Sequence, residues 1–185
     1  MSIDARINHA ARRCREPRTR WLPSHQKRAG LGVWAATRSR EARDAIQRWK
    51  RATPFDPAAL ANFANAVAGL IRAWSAILPV GTIVTTPPQG ASAPAPYAAE
   101  ALGRHVAEAL GLPFTPMLAR RDRKRWHGPH EALRQTPFVC TPPDPTPPMV
   151  LVVDDLITSG KTMRLSIGAI RSAGAAAFGF AYSGC

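Results

Sequence analysis

The sequence predicts an α/β protein built on a doubly wound parallel sheet, with a basic N-terminal extension ahead of it. Three observations carry that expectation. Residues 149 to 182 read as apolar strand, amphipathic helix and apolar strand, a unit whose two strands must be parallel. An earlier β-branched run, Thr82 to Thr86, precedes a second helical stretch from Tyr97 to Leu110, so the strand-then-helix rhythm recurs. Positive charge is concentrated at the start of the chain: residues 1 to 51 sum to +10 out of a total of +13. The expected division is therefore an extension over residues 1–40 and one domain over 41–185.

Taken in order, residues 1 to 40 show no sustained apolar period, and Pro17, Pro23, Gly30 and Gly32 interrupt runs of Arg, which predicts irregular or weakly helical chain. From Glu41, the spacing of Ala42, Ala45, Ile46 and Trp49 predicts a short amphipathic helix with a basic outer face. Asp56-Pro57 then has the form of a helix start, and Leu60, Phe63, Val67, Leu70, Ile71 and Trp74 supply a single apolar stripe. Thr82–Thr86 is expected as a buried strand that ends in the loop Pro87-Pro88-Gln89-Gly90. The helix from Tyr97 to Leu110 closes on Gly111, a C-cap, and Leu112 to Leu118 is expected as a short edge strand broken by prolines. Arg120 to Gln135 is a basic loop with a Gly-Pro turn. Residues 136 to 148 hold six prolines and are expected to be a stiff connection without an element. Met149–Val153 is the next strand, Lys161–Ala173 a helix, Gly174 its cap, and Ala175–Tyr182 the last strand.

Composition excludes several classes. A chain of 185 residues with 45% hydrophobic content can bury one sizeable core, which argues against full disorder and against many domains. No run approaches the roughly 20 apolar residues of a bilayer-spanning helix, and the arginine-rich start carries no apolar signal core, so a cytoplasmic protein without membrane contact is expected. Cys14, Cys140 and Cys185 are far apart and show no metal-ligand spacing, so reduced thiols are expected. The basic start could attract any polyanion, nucleic acid through residues 1–51 included.

The residues that carry chemistry cluster at the end of the strand at 149. Val150 to Thr162 reads V-L-V-V-D-D-L-I-T-S-G-K-T. Ligands of open parallel sheets lie beyond the carboxyl ends of the strands, and here that end offers two kinds of group. Gly160 allows close backbone approach at a helix N-terminus, while Thr158, Ser159 and Thr162 add hydroxyl donors, so the turn suits a monophosphate. Asp154 and Asp155 can accept from vicinal hydroxyls and help hold a divalent metal. Successive side chains alternate, so the strand is expected to end at this pair. Ser-Gly-Lys-Thr also ends a nucleotide-triphosphatase loop, but that motif needs a glycine where this chain has Asp155.

This 13-residue segment resembles the phosphoribosyl pyrophosphate (PRPP) motif of the type I phosphoribosyltransferases. The resemblance implies that Asp154 and Asp155 bind the ribose 2- and 3-hydroxyls and that Thr158, Ser159, Gly160, Lys161 and Thr162 bind the 5-phosphate. Lys161 departs from the small residue usual at its position. Thr86, Pro87, Pro88 and Gln89 lie where the family places its pyrophosphate loop, although the Arg or Lys often found there is missing. In the basic loop, Arg121, Arg125, His127 and Gly128 resemble the catalytic-loop pattern of orotate phosphoribosyltransferases, with Asp122 and Arg125 where lysines are usual. The order of elements from Arg48-Trp49-Lys50 to the chain end is similar to the ComF-like (competence protein F) phosphoribosyltransferases; the N-terminal zinc ribbon of many members is not expected, since Cys14 stands alone there.

What the resemblance implies is a Mg2+-assisted pentosyltransferase. The ribose 5-phosphate of PRPP would pass to a nitrogenous base with release of pyrophosphate, Arg121, Arg125 and His127 contacting the leaving group. Members are commonly dimers, so a homodimer is implied as well. A second function class stays open: a PRPP-binding accessory or regulatory protein that docks on DNA or RNA through its basic arm, since fold does not fix function.

Overall fold

The computed structural model describes residues 32–52, 54–89, 97–120 and 138–184. Among the described residues ten elements follow one another: β1 (Val33–Thr37), α1 (Arg40–Arg51), α2 (Pro57–Trp74), β2 (Ile83–Thr85), α3 (Ala98–Leu110), β3 (Leu118–Arg120), β4 (Phe138–Cys140), β5 (Met149–Ile157), α4 (Lys161–Ser172) and β6 (Ala176–Gly184). Four strands form one sheet in the order β1-β6-β5-β2, and every neighbouring pair is parallel. β3 and β4 form a separate antiparallel ribbon. The expected α/β architecture is the observed one.

Local chemistry explains the helix ends. The Ser39 hydroxyl accepts from the Ala42 N–H at 3.0 Å, and Glu41 begins α1 while Arg48, Lys50 and Arg51 end it, each sign set against the helix dipole. Asp56 caps α2 by accepting from the Ala58 N–H at 3.0 Å, and Pro57 fills a first-turn position that has no intrahelical hydrogen bond to lose. Gly111 closes α3 in the left-handed region, at φ 67°.

The sheet is buried on both faces, which is why β5 reads as a continuous apolar run. Leu151 and Val153 of β5, with Phe180 and Tyr182 of β6, pack under α1, α2 and α3 through Ile46, Trp49, Phe63, Val67, Ile71 and Leu102. Alternate residues Val150, Val152, Ala177 and Ala181 face Met163, Ile167 and Ile170 of α4 and Met117 beside the ribbon. Among the described residues no helix is long and apolar enough to cross a membrane.

Four expectations are corrected. β1 lies inside the stretch read as irregular: Val33, Trp34, Ala35 and Thr37 pair with β6, and the Trp34 ring stacks on Phe180 at 5.2 Å. Five residues among arginines and glycines carry too short a pattern to read, and the partner strand supplies what the sequence lacks. Phe138–Cys140 forms β4 within the proline-rich connection, because β3 offers it an antiparallel edge. Leu112–Leu118 is not one strand: β3 starts only at its last residue, Leu118, and the stretch before it runs beside β2, touching it through one bridge between Phe114 and Val84. β5 continues past the aspartate pair to Ile157, with Asp154 opposite Ala181 and Leu156 opposite Ser183, because β6 keeps pairing with it.

Candidate functional site

β2 and β5 are neighbours with Thr85 in register with Val152, so the loop after β2 and the turn after β5 leave the same edge of the sheet side by side. Both segments singled out in the sequence therefore lie toward one end of the sheet, although β5 runs five residues past that register point before its turn begins. Arg121, Arg125 and His127, with Gly128 and Gln135, lie outside the described residues.

The turn after β5 is local chemistry. Thr158 and Ser159 are exposed, Gly160 sits at φ 68° as the residue before α4, and Lys161 and Thr162 open the helix with exposed side chains. A Cβ on Gly160 would meet nothing nearer than Ile157 Cγ2 at 3.9 Å, so the left-handed backbone, and not lack of space, selects glycine. No side chain caps α4. Its first N–H groups have no intrahelical acceptor by construction, and Thr158, Ser159 and Thr162 flank them in the chain. The Ser159 hydroxyl lies 3.4 Å from the Lys161 N–H.

The loop after β2 is built differently. Thr86, Pro87 and Pro88 are buried and Gln89 is exposed. A Cβ on Gly103 of α3 would lie 2.5 Å from Thr86 Cγ2 and 3.0 Å from Phe114 Cε2, so glycine in mid-helix is what lets this loop settle against α3. Arg120, the last residue of β3, donates its Nε–H to the Gln89 carbonyl at 3.0 Å and lies over the Phe138 ring at 5.3 Å. A cation is therefore anchored on a loop that has none of its own.

The two aspartates separate. Asp155 is 3% exposed, and both of its carboxylate oxygens are held by the Lys50 ammonium of α1, at 2.9 and 3.1 Å. Asp154 is only partly buried, and its Oδ1 accepts from the Asp155 N–H at 2.8 Å. Burial and the neighbouring Asp155 charge push the Asp154 carboxyl up to about 7, against the opposing pull of that N–H and of Lys50. Tyr97, at the entrance to α3, feels the same charges: burial first, then Asp154 and Asp155, raise its hydroxyl to about 12, with Arg120 pulling the other way.

Magnesium does not fit between these carboxylates. Asp155 already spends both oxygens on Lys50, which leaves Asp154 alone, and among the described residues no three His, Cys, Asp or Glu side chains converge as metal ligands. Lys50, Tyr97 and Arg120 are the site residues that sequence reasoning missed. Lys50 stood inside the Arg48-Trp49-Lys50 segment, where the buried Trp49 beside it was the available sign that this turn of α1 meets the core. Arg120 was hidden by the run of basic residues that follows it. Tyr97 had no signal.

The chain is similar to a phosphoribosyltransferase. A crystal structure of adenine phosphoribosyltransferase aligns at 16% identity and TM-score 0.47, over 70% of this chain and 72% of that one. A structure of the allosteric regulatory enzyme of purine biosynthesis aligns at 20% identity and TM-score 0.49, over 76% of this chain; this chain spans only 30% of that one. No protein-family model and no curated protein matches the chain.

Proposed function

We propose that the protein is a PRPP-dependent phosphoribosyltransferase that passes ribose 5-phosphate to a nitrogenous base and releases pyrophosphate. One observation carries the reading: the segment 150–162 folds as strand, left-handed glycine turn and helix N-terminus, with a partly exposed carboxylate two residues beyond the point where β2 leaves its own loop. The 5-phosphate is assigned to the turn, where the first N–H groups of α4 lie beside three hydroxyl-bearing residues in the chain. Asp154 accepts from a ribose hydroxyl. The pyrophosphate is assigned to Thr86–Gln89 and Arg120, with Arg121, Arg125 and His127 of the following segment as its further contacts.

Displacement at C1 by a ring nitrogen breaks the C1–O bond to pyrophosphate and builds positive charge on the sugar. The residues act by holding the sugar in place and by placing cations on the departing group, with no covalent nucleophile needed. The test is pyrophosphate release from PRPP with magnesium and a panel of purines, pyrimidines and orotate. Turnover with one base, lost in Asp154→Asn, is expected; no release and no PRPP affinity would refute the reading.

A second reading is favoured by α1, whose exposed Arg40, Arg48 and Arg51 extend the basic start of the chain. A PRPP-binding regulator would use that surface on DNA or RNA. Its mark is salt-dependent nucleic-acid binding, without turnover, that is lost when residues 1–31 are removed; a cut after residue 40 would also delete β1 and damage the sheet.

A further inference from the structure

The two acids near the end of β5 meet opposite sides of the sheet. Leu151 and Val153 face α1, α2 and α3, while Val150 and Val152 face α4. Alternation puts Asp155 with the first pair and Asp154 with the second, and Asp154 is still in register with Ala181, which faces α4 too. Asp155 thus lies on the side covered by α1, whose Ile46 and Trp49 are buried in the same cluster as Leu151 and Val153. Lys50, from the last turn of that helix, reaches both oxygens of the carboxylate at 2.9 and 3.1 Å, and the Asp155 side chain is 4% exposed. Removing either partner would leave a charge uncompensated where water barely reaches, so the contact ties α1 to the strand end. A neutral sugar hydroxyl is a weaker donor than an ammonium and would have to displace it there.

We propose that Asp155 is the anchor of α1 and takes no part in binding the ligand, that Lys50 is the positioning residue which holds it there, and that the sugar is read by Asp154 alone. The clause about the sugar rests on the phosphoribosyltransferase reading; the clause about α1 does not. Asp154 is only partly buried, and its Oδ1 already accepts from the Asp155 N–H at 2.8 Å. Oδ2 is then the acceptor for one hydroxyl of the vicinal pair, whereas two working carboxylates would grip both. A pentose 5-phosphate that lacks the other hydroxyl should bind nearly as well as ribose 5-phosphate. The substrate class therefore extends to one deoxypentose 5-phosphate.

The test uses the full chain and calorimetry with ribose 5-phosphate, 2-deoxyribose 5-phosphate and 3-deoxyribose 5-phosphate. One of the two deoxy sugars is expected to bind less than fivefold more weakly than ribose 5-phosphate, and the other more than fivefold. Losses above fivefold for both, or below it for both, overturn the proposal. Asp155→Asn, which keeps the shape and one acceptor for Lys50, should hold ribose 5-phosphate affinity within fivefold of wild type, and Asp154→Asn should not; an equal loss in the two variants overturns the proposal. Hydrogen exchange reads the anchor without any sugar. The amides of residues 46 to 51 should exchange at least tenfold faster in Lys50→Met and return to the wild-type rate in Lys50→Arg, and unchanged exchange in Lys50→Met overturns the role of Lys50. Should Asp155→Asn or Lys50→Met fail to fold, the deoxy-sugar comparison on wild type still decides. Absence of any ribose 5-phosphate binding strikes down the phosphoribosyltransferase reading, while hydrogen exchange still decides whether Asp155 anchors α1.

Discussion

The turn after β5 and the loop after β2 leave neighbouring strands on the same edge of the sheet, yet they are made on opposite principles. The turn is exposed, hydroxyl-rich and shaped by its own residues, above all by the left-handed Gly160. The loop is buried through Thr86, Pro87 and Pro88, shaped by the absence of a side chain on Gly103 and supplied with charge by Arg120, all from other elements. Under the proposed reading, an anion site is written into one short segment in the turn and assembled from distant ones at the loop, and the two kinds should break differently. Changes in the turn should alter binding and leave the rest of the fold intact. Changes around the loop should alter stability as well.

The largest effect is expected at Gly103→Val. Its Cβ would collide with Thr86 and Phe114, so unfolding in urea should show a loss of about 3 kcal/mol, the upper range for overpacking. A loss under about 0.5 kcal/mol would mean that the loop does not depend on this contact. Next comes Asp154→Asn, which removes a charged acceptor worth about 2 kcal/mol, so calorimetry should find ribose 5-phosphate binding about 30-fold weaker. The same variant carries a pH signature. Because the folded carboxyl titrates near 7 and the unfolded one at its ordinary value of 3.8, the folded state keeps a proton that the unfolded state loses between them. Wild-type stability should fall as pH rises through that window. Asp154→Asn should remove the slope, matching wild type near pH 3.5 and melting higher at pH 8; parallel melting curves at both pH values would contradict the assignment.

Smaller effects should separate the two regions more finely. Gly160→Ala forces a side chain into the left-handed region at a cost of about 1 kcal/mol, and phosphate affinity should fall with it because the α4 N–H groups shift. Arg120→Ala should leave ribose 5-phosphate affinity unchanged and weaken pyrophosphate about fivefold, roughly 1 kcal/mol. An equal loss for both ligands would place Arg120 at the turn and erase the contrast.

Legibility in the sequence follows the same division. The β5–α4–β6 unit could be read because its apolar runs, its hydroxyl turn and its glycines lie within one continuous stretch. The cap of α2 could be read for the same reason, since Asp56 acts on its own first turn. β1 and β4 could not be read: one lies among arginines and the other among prolines, and each becomes a strand only because β6 or β3 offers it hydrogen bonds. The end of β5 was misplaced for a related reason. Two consecutive aspartates argue against a strand until a lysine is known to stand over one of them.

By itself the sequence determined the class of architecture, the helix at the head of the candidate site and the residues of its phosphate-like turn, because periodicity, capping and left-handed glycine act over a few neighbouring residues. Tertiary structure alone decided that Asp155 faces Lys50 and Asp154 does not share its fate, that Arg120 rests on Gln89, and that Tyr97 stands near both acids. Charge and burial depend on distance through space, and distance between residues far apart in the chain is set only when the sheet and its helices have closed on each other.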